Sequence, residues 1–172
     1  MSTRTKGQQQ KTPSPPAQGV TLERTYRATA QEIWDLWTTK DGLESWWAPE
    51  GCRVEVRRIE PWLGGALDYA MIAETPETVA ALKELGQPPV VETRCRYGEF
   101  KPQTRLKLML MIDFFKGVQP YESAVEVELA PAGDRVRMVV TLHGMHRPEL
   151  SRMQAEAVES QLEKLDRHFA QD

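Results

Sequence analysis

The stretch that decides the fold lies at the end of the chain, where residues 148–170 read PELSRMQAEAVESQLEKLDRHFA. Its apolar residues recur one, three or four positions apart, as on one face of an α-helix: they are Leu150, Met153, Ala157, Val158, Leu162, Leu165 and Phe169. Pro148 suits the first helical turn, where a backbone N–H is not needed. A helix of this length needs a broad apolar surface to lie on, and the preceding sequence predicts a sheet that supplies it.

Seven earlier stretches alternate apolar and polar residues, which is typical of half-buried antiparallel strands. They span residues 20–27, 52–59, 66–73, 90–100, 105–115, 121–129 and 135–144. Turns rich in Gly and Pro join most of them, which indicates an antiparallel meander. The sequence therefore predicts one sheet followed by one long helix.

A helix is also predicted between the first two strands. Thr29 and Glu32 form a capping box, in which each side chain satisfies a backbone N–H at the helix start, and the helix is expected to end near Gly42. The segment that follows contains the adjacent residues Trp46 and Trp47. Two neighbouring large side chains hardly point the same way, so we expect one in the core and one at an opening of the fold.

Composition limits the class of protein. The length of 172 residues predicts one domain with a tail. Residues 1–19 are mainly polar and cannot offset the entropy of ordering, so we expect a disordered tail there and one domain over residues 20–172. A net charge of −3 gives no electrostatic reason to bind nucleic acid or an anionic membrane. With no apolar run near the roughly 20 residues of a membrane span and no signal-peptide core, the sequence predicts a cytoplasmic protein.

Four motifs carry a resemblance to a known family. They are AQEIWDLWTT at 30–39, LESWWAP at 43–49, PWLGG at 61–65 and the terminal helix. With the order of elements, they resemble the helix-grip fold of the START/SRPBCC superfamily, and more closely the family related to the C-terminal domain of the heat-shock-protein-90 ATPase activator. The resemblance implies an α+β fold in which a curved antiparallel sheet of about seven strands surrounds the C-terminal helix. Residues 75–91 depart from this pattern, because they predict a short inserted helix that could cover a cavity mouth.

The histidines do not indicate a metal site. His143 and His146 lie three residues apart, but no cluster of carboxylates or thiols accompanies them, whereas a metal site needs three or four convergent ligands. We therefore expect neither a metal nor a cofactor. His143 ends the last predicted strand, where it is a candidate general base near a cavity. The favoured interpretation is a partly exposed histidine at the junction between strand and helix, and the general base is the alternative.

Two further residue pairs each have a structural interpretation and a functional one. Arg94 and Arg96 are expected on the solvated face of their strand, and the alternative is that one points inward and binds a ligand carboxylate with two hydrogen bonds. Cys52 and Cys95 show no metal spacing and are expected to be reduced thiols, with a disulfide as the alternative.

Three functions are compatible with the sequence. We favour non-enzymatic binding of a small hydrophobic molecule in a cavity between the sheet and the C-terminal helix. The candidate lining residues are Trp37, Trp47, Tyr69, Tyr97, Leu108, Met138, Val140, Met153 and Leu162. The first alternative is a cofactor-independent cyclase or hydrolase that uses His143. The second is a partner protein of a chaperone or other ATPase, which an exposed apolar patch around Trp46 would support. A homodimer is left open.

Overall fold

The computed structural model describes residues 19–170, which form seven strands and four helices. The elements are β1 (Val20–Tyr26), α1 (Ala30–Thr38), α2 (Lys40–Trp46), β2 (Cys52–Ile59), β3 (Ala66–Ala73), α3 (Pro76–Glu84), β4 (Val90–Lys101), β5 (Arg105–Ile112), β6 (Tyr121–Ala132), β7 (Arg135–Leu142) and α4 (Pro148–Phe169). The predicted tail, residues 1–19, lies outside the described residues except for Gly19. Within residues 19–170, none of the helices combines the length and the apolar character needed to cross a membrane.

The strands form a single antiparallel sheet in the order β1-β7-β6-β5-β4-β3-β2. Strands β2 to β7 follow one another as a meander, and β1 pairs with β7, with Val20 opposite Leu142. The segment with α1 and α2 therefore crosses from one edge of the sheet to the other. The sheet curls into a half-barrel beside α4. The predicted α+β helix-grip fold with about seven strands is confirmed.

Two irregularities in register bend the sheet. The pairing shifts between Val56 and Arg58 in β2 and between Tyr97 and Glu99 in β4. Such a bulge adds one residue to a strand and increases its local twist. In β4 the added residue is Gly98, where a Cβ atom would lie only 2.9 Å from the Met109 Cγ of β5. The missing side chain therefore lets the two strands approach closely at the bend.

Alternation along the strands decides which side chains enter the core. Strand β5 shows it most clearly, because Leu106, Leu108, Leu110 and Ile112 are buried while Met109 and Met111 are half-buried on the opposite face. We call the face toward α4 the inner face and the opposite one the outer face. The inner face carries the apolar residues that the sequence pattern predicts.

The structure divides the first predicted helix into α1 and α2. The predicted capping box is present, since Thr29 Oγ1 accepts from the Glu32 N–H and Glu32 Oε2 accepts from the Thr29 N–H. The helix nevertheless stops at Thr39, whose hydroxyl donates to the Asp35 carbonyl at 2.7 Å and accepts from the Gly42 N–H at 3.0 Å. One hydroxyl thus ends α1 and caps α2, so the expected end near Gly42 is wrong.

Both members of the tryptophan pair are buried, so the expectation that one lies at an opening is wrong. Trp46 is 1% exposed and Trp47 is 3% exposed. Their rings meet each other and Trp37, with centroids 4.7 to 5.3 Å apart. Because α2 ends at Trp46 and the backbone of Trp47 leaves the helical conformation, the two rings reach one aromatic cluster from different directions.

Helix α4 buries a face that differs from the predicted stripe. Val158, Leu162 and Leu165 are at most 4% exposed, but Met153 is 39% exposed. At about 100° per residue, Met153 lies roughly 140° around the helix from Val158, on the solvent side. The buried face includes Gln161 instead, which is 3% exposed. A stripe that is defined by apolar residues alone therefore leaves Gln161 out of the buried face of α4.

Truncating a side chain should lower the free energy of unfolding more on the buried side of α4 than on its exposed side. We expect Leu162→Ala to lower the free energy of unfolding by about 2–5 kcal/mol, because Leu162 is fully buried and its loss leaves a cavity. The control Met153→Ala, on the same helix, should change it by no more than about 0.5 kcal/mol. Urea unfolding followed by tryptophan fluorescence measures both, and equal losses would contradict this assignment of faces.

Candidate functional site

The candidate site lies between the inner face of the sheet and α4, and we call this region the inner chamber. Eight of the nine predicted lining residues meet there with at most 5% exposure: Trp37, Trp47, Tyr69, Tyr97, Leu108, Met138, Val140 and Leu162. They pack against one another as part of the hydrophobic core. Met153, the ninth, faces solvent and is not brought to this group.

Trp37 holds the centre of the chamber in place. Its indole Nε1 donates to the Met138 sulfur at 3.4 Å, and its backbone carbonyl accepts from the Tyr97 hydroxyl at 3.3 Å. These contacts tie α1 to β7 and to β4. The polar atoms in this part of the wall are thus paired within the chain.

One polar cluster in the wall is not fully paired. Gln161 Nε2 donates to the Trp47 backbone carbonyl at 3.1 Å, and both residues are 3% exposed. Within the described residues, Gln161 Oε1 accepts no hydrogen bond and Trp47 Nε1 donates none. A buried donor or acceptor without a partner costs about 1–3 kcal/mol. Both are thus buried polar atoms whose hydrogen-bonding capacity the described part of the chain does not fill.

Two hydroxyl groups lie beside this cluster. Tyr69 of β3 and Thr93 of β4 are directly opposite in the sheet and are both buried. Burial raises the pKa of Tyr69, and the nearby Trp47 indole and Thr93 hydroxyl oppose that rise. The Trp47 indole is thus close to the Tyr69 hydroxyl, although its N–H makes no well-formed hydrogen bond. Tyr69 stays a neutral hydroxyl near pH 7.

A second glutamine continues the polar line along α4. Gln154 precedes Gln161 by two helical turns, about 10.5 Å along the axis, and its Oε1 is also buried without a partner. Around it the helix is less enclosed, since Leu150 and Ala155 are only half-buried whereas Leu162 is fully buried. The first half of α4 is therefore less deeply buried than the second half.

A charged network joins the second half of α4 to β1. Arg24 Nε donates to both Asp166 carboxylate oxygens at 3.1 and 3.2 Å, and its guanidinium also pairs with Glu159. The Tyr26 hydroxyl donates to Asp166 Oδ1 at 2.6 Å, and burial, together with this carboxylate, raises the pKa of Tyr26. Among the described strand residues on the inner face, Arg24 is the only cation. Two carboxylates offset its charge.

Open clefts occur at other places on the surface. One of about 570 Å³ adjoins the charged network and is lined by Arg24, Thr25, Tyr26, Arg27, Arg135, Asp166, Phe169 and Ala170. Two others, of about 160 and 380 Å³, lie on the outer face of the sheet. None of these three clefts is lined by the predicted chamber residues.

His143 lies on the outer face, which contradicts its suggested role as a general base near the cavity. It follows the inward-facing residue Leu142, and successive side chains of a strand point to opposite faces. Its Nε2 lies 3.1 Å from Glu126 Oε2. His146 makes a contact that the sequence does not predict, because its Nδ1 lies 2.6 Å from the Tyr121 hydroxyl. No sequence signal pairs residues in separate loops and strands in this way.

The two strand arginines also lie on the outer face. Arg94 pairs with Asp113, and Arg96 pairs with Glu122 at 2.8 Å. Neither guanidinium reaches the chamber, so the alternative in which one of them binds a ligand carboxylate there is wrong.

The remaining predicted features are the two cysteines, a possible metal site and the surface around Trp46. Cys52 and Cys95 are both free thiols, and burial raises the pKa of Cys95. Residues 19–170 contain no group of three His, Cys, Asp or Glu side chains placed to hold a metal ion. Trp46 is 1% exposed, so it forms no exposed apolar patch of the kind that would support the chaperone-partner alternative.

The sequence was matched to known protein families, and the fold was matched to solved structures. Residues 27–170 match the family model of the Activator of Hsp90 ATPase homolog 1-like protein. A solved structure from Chromobacterium violaceum is 18% identical with a TM-score of 0.70, over 91% of this chain and 100% of that one. The AHSA1 protein from Silicibacter pomeroyi is 19% identical with a TM-score of 0.69, over 88% and 97%. At these identities the structures support the fold alone, and no curated protein matches the sequence.

The charged network makes a prediction about stability. We expect Tyr26→Phe to lower the free energy of unfolding by about 1 kcal/mol, because the lost hydroxyl donates to a partly exposed carboxylate. In an Asp166→Asn background the same change should cost at least about 0.5 kcal/mol less, since the two groups are in contact. A double-mutant cycle from urea unfolding measures this coupling, and a coupling of zero would contradict the network.

Proposed function

The chain belongs to the Activator of Hsp90 ATPase homolog 1-like family, and we propose that it binds a small, predominantly hydrophobic molecule in the inner chamber without catalysing a reaction. The observation that carries the proposal is that Trp47 Nε1 and Gln161 Oε1 are each buried without a hydrogen-bond partner in a mainly apolar wall. Buried polar groups in native proteins are nearly always hydrogen-bonded. A mostly apolar pocket with few polar groups is the usual form of a small-molecule site.

The titration of the chamber residues favours binding over general-base catalysis. Burial raises the pKa of Tyr69, Tyr97 and Cys95, which all face the chamber. Each of these groups therefore keeps its proton near neutral pH. A general base, in contrast, must be deprotonated before it can accept a proton. The groups described at this site thus suit hydrogen bonding and apolar contact.

Entry to the chamber is expected beneath the first half of α4, with the inserted segment 75–91 as its cover. Helix α3 buries none of its residues, so little packing holds it. Its start is fixed to the α2–β2 turn, because the Glu74 N–H donates to the Gly51 carbonyl at 2.8 Å. A Cβ at Gly51 would lie 2.3 Å from Thr78 Oγ1. A cover held closely at one end and loosely along its length suits a mouth that opens and closes.

Binding is tested with N-phenyl-1-naphthylamine, a neutral apolar dye whose fluorescence rises in an apolar site. We expect one dye per chain, saturable enhancement of dye emission, and a parallel loss of tryptophan emission, because three tryptophan rings lie at the chamber. Absence of saturable binding by the folded protein would contradict the proposal.

A substitution that fills space beside the core tests where the dye binds. Ala155 packs against the core from the first half of α4, so Ala155→Phe should weaken dye binding at least about tenfold. It should lower the free energy of unfolding by about 1–3 kcal/mol through overpacking, and binding is measured well below its melting temperature. The matched control Ala130→Phe adds the same ring at an exposed position of β6 and should bind normally. Dye binding that Ala155→Phe leaves unchanged would place the dye elsewhere.

A further inference from the structure

We propose that the open cleft of about 570 Å³ beside the last turn of α4 binds a small aromatic anion, whose oxyanion contacts arginine side chains and whose ring packs on aromatic residues. We call this space the edge cleft, because it lies between that turn, the start of β7 and the end of β1, which is an edge strand of the sheet. None of the predicted chamber residues lines it. This inference therefore goes beyond the proposed function and does not depend on it.

Two arginines at one end of the sheet bring positive charge to the edge cleft. The last paired residues of β1 and β7 are Tyr26 and Val136. The next opposing positions hold Arg27 and Arg135, and both line the cleft. Arg27 has one carboxylate partner, Asp134 at 3.5 Å, in an exposed pair of the kind that contributes little. Within residues 19–170, no carboxylate forms an ion pair with Arg135.

An oxyanion is the ligand group that suits these two arginines. Guanidinium groups bind phosphate and carboxylate through two parallel hydrogen bonds, which fixes the geometry as well as the charge. Like charges at opposing strand positions repel each other, and an oxyanion between them would remove that repulsion. Thr25, which also lines the cleft, adds a hydroxyl that can donate to the same oxyanion. A neutral group would gain none of the charge-dependent part.

The side of the cleft formed by α4 directs the oxyanion toward Arg27 and Arg135. Arg24 lines that side, but its guanidinium already pairs with Asp166 and Glu159, which more than offset its charge. The last carbonyl groups of α4 also carry the negative end of the helix dipole. The positive charge that is left for a ligand is therefore at the strand side of the cleft.

An aromatic surface faces the same cleft. The rings of Tyr26 and Phe169 are in contact, with centroids 4.7 Å apart, and both residues line the cleft. Phe169 is only half-buried, so part of its ring is open to a ligand. A planar ligand would cover this ring and could also stack on a guanidinium plane. The volume of about 570 Å³ falls within the range of about 300–1,000 Å³ that is usual for small-molecule sites.

Three probes with one ring system test this inference: 1-naphthyl phosphate, 1-naphthoate and the neutral 1-naphthalenemethanol. In ¹⁵N NMR spectra near neutral pH, we expect an anion to shift the Nε–Hε signals of Arg27 and Arg135 saturably, and added salt to weaken this binding. The neutral alcohol should leave both signals in place. A shift by one anion alone supports the inference and identifies the oxyanion. Failure of both anions, or an equal shift by the alcohol, would overturn the inference and leave the proposed function, which is tested with a neutral dye, standing.

A variant removes one charge from the edge cleft. Arg135→Gln should weaken binding of the anion at least about fivefold, because a charge-assisted hydrogen bond is lost. The matched control Arg152→Gln removes the same charge from the first half of α4, roughly 25 Å along the helix axis from Phe169, and should change the affinity less than about twofold. Both arginines are exposed, so both variants should fold. Equal weakening by the two substitutions, or none by Arg135→Gln, would overturn the assignment of the site.

Discussion

The structure depends on one packing constraint, which is that the buried face of α4 must be covered by the inner face of a single antiparallel sheet. Val158, Leu162 and Leu165 supply the apolar part of that face. Alternate residues along each strand are apolar and face α4, and the bulges in β2 and β4 increase the local twist of a sheet that curls beside the helix. An exposed α4 would leave these side chains, and most of the inner face, in water.

The ends of α4 are held in different ways, and this difference shapes the site. The second half is fixed to β1 through Arg24, Asp166 and Tyr26, where charge and hydrogen bonds add to close apolar packing. The first half has fewer buried residues and carries Gln154, whose oxygen is unpaired. Loosely packed segments are where proteins open locally at low free energy. A molecule that enters the chamber would therefore displace the first half of α4 more easily than the second.

Much of the fold could be predicted from the sequence, because strand alternation, the Thr29–Glu32 capping box and the long terminal helix are local patterns. The features that could not be predicted depend on single atoms or on contacts across the chain. The hydroxyl of Thr39 ends one helix and starts the next, which no periodicity reveals. Apolar spacing alone predicts Met153, and not Gln161, on the buried face of α4. For His143 the structure shows the partly exposed position at the junction of strand and helix, because strand parity turns the side chain to the outer face.

A small apolar molecule in the inner chamber is detected most directly by nuclear Overhauser effects from a bound neutral probe, 1-octanol, to the methyl groups of the protein. The measurement uses ¹³C-labelled protein and unlabelled octanol, so that only contacts between the two molecules are recorded. Binding in the chamber predicts contacts to the methyl groups of Leu108, Val140 and Leu162, which are all at most 1% exposed. Contacts confined to surface side chains such as Leu63 and Val79 would contradict it.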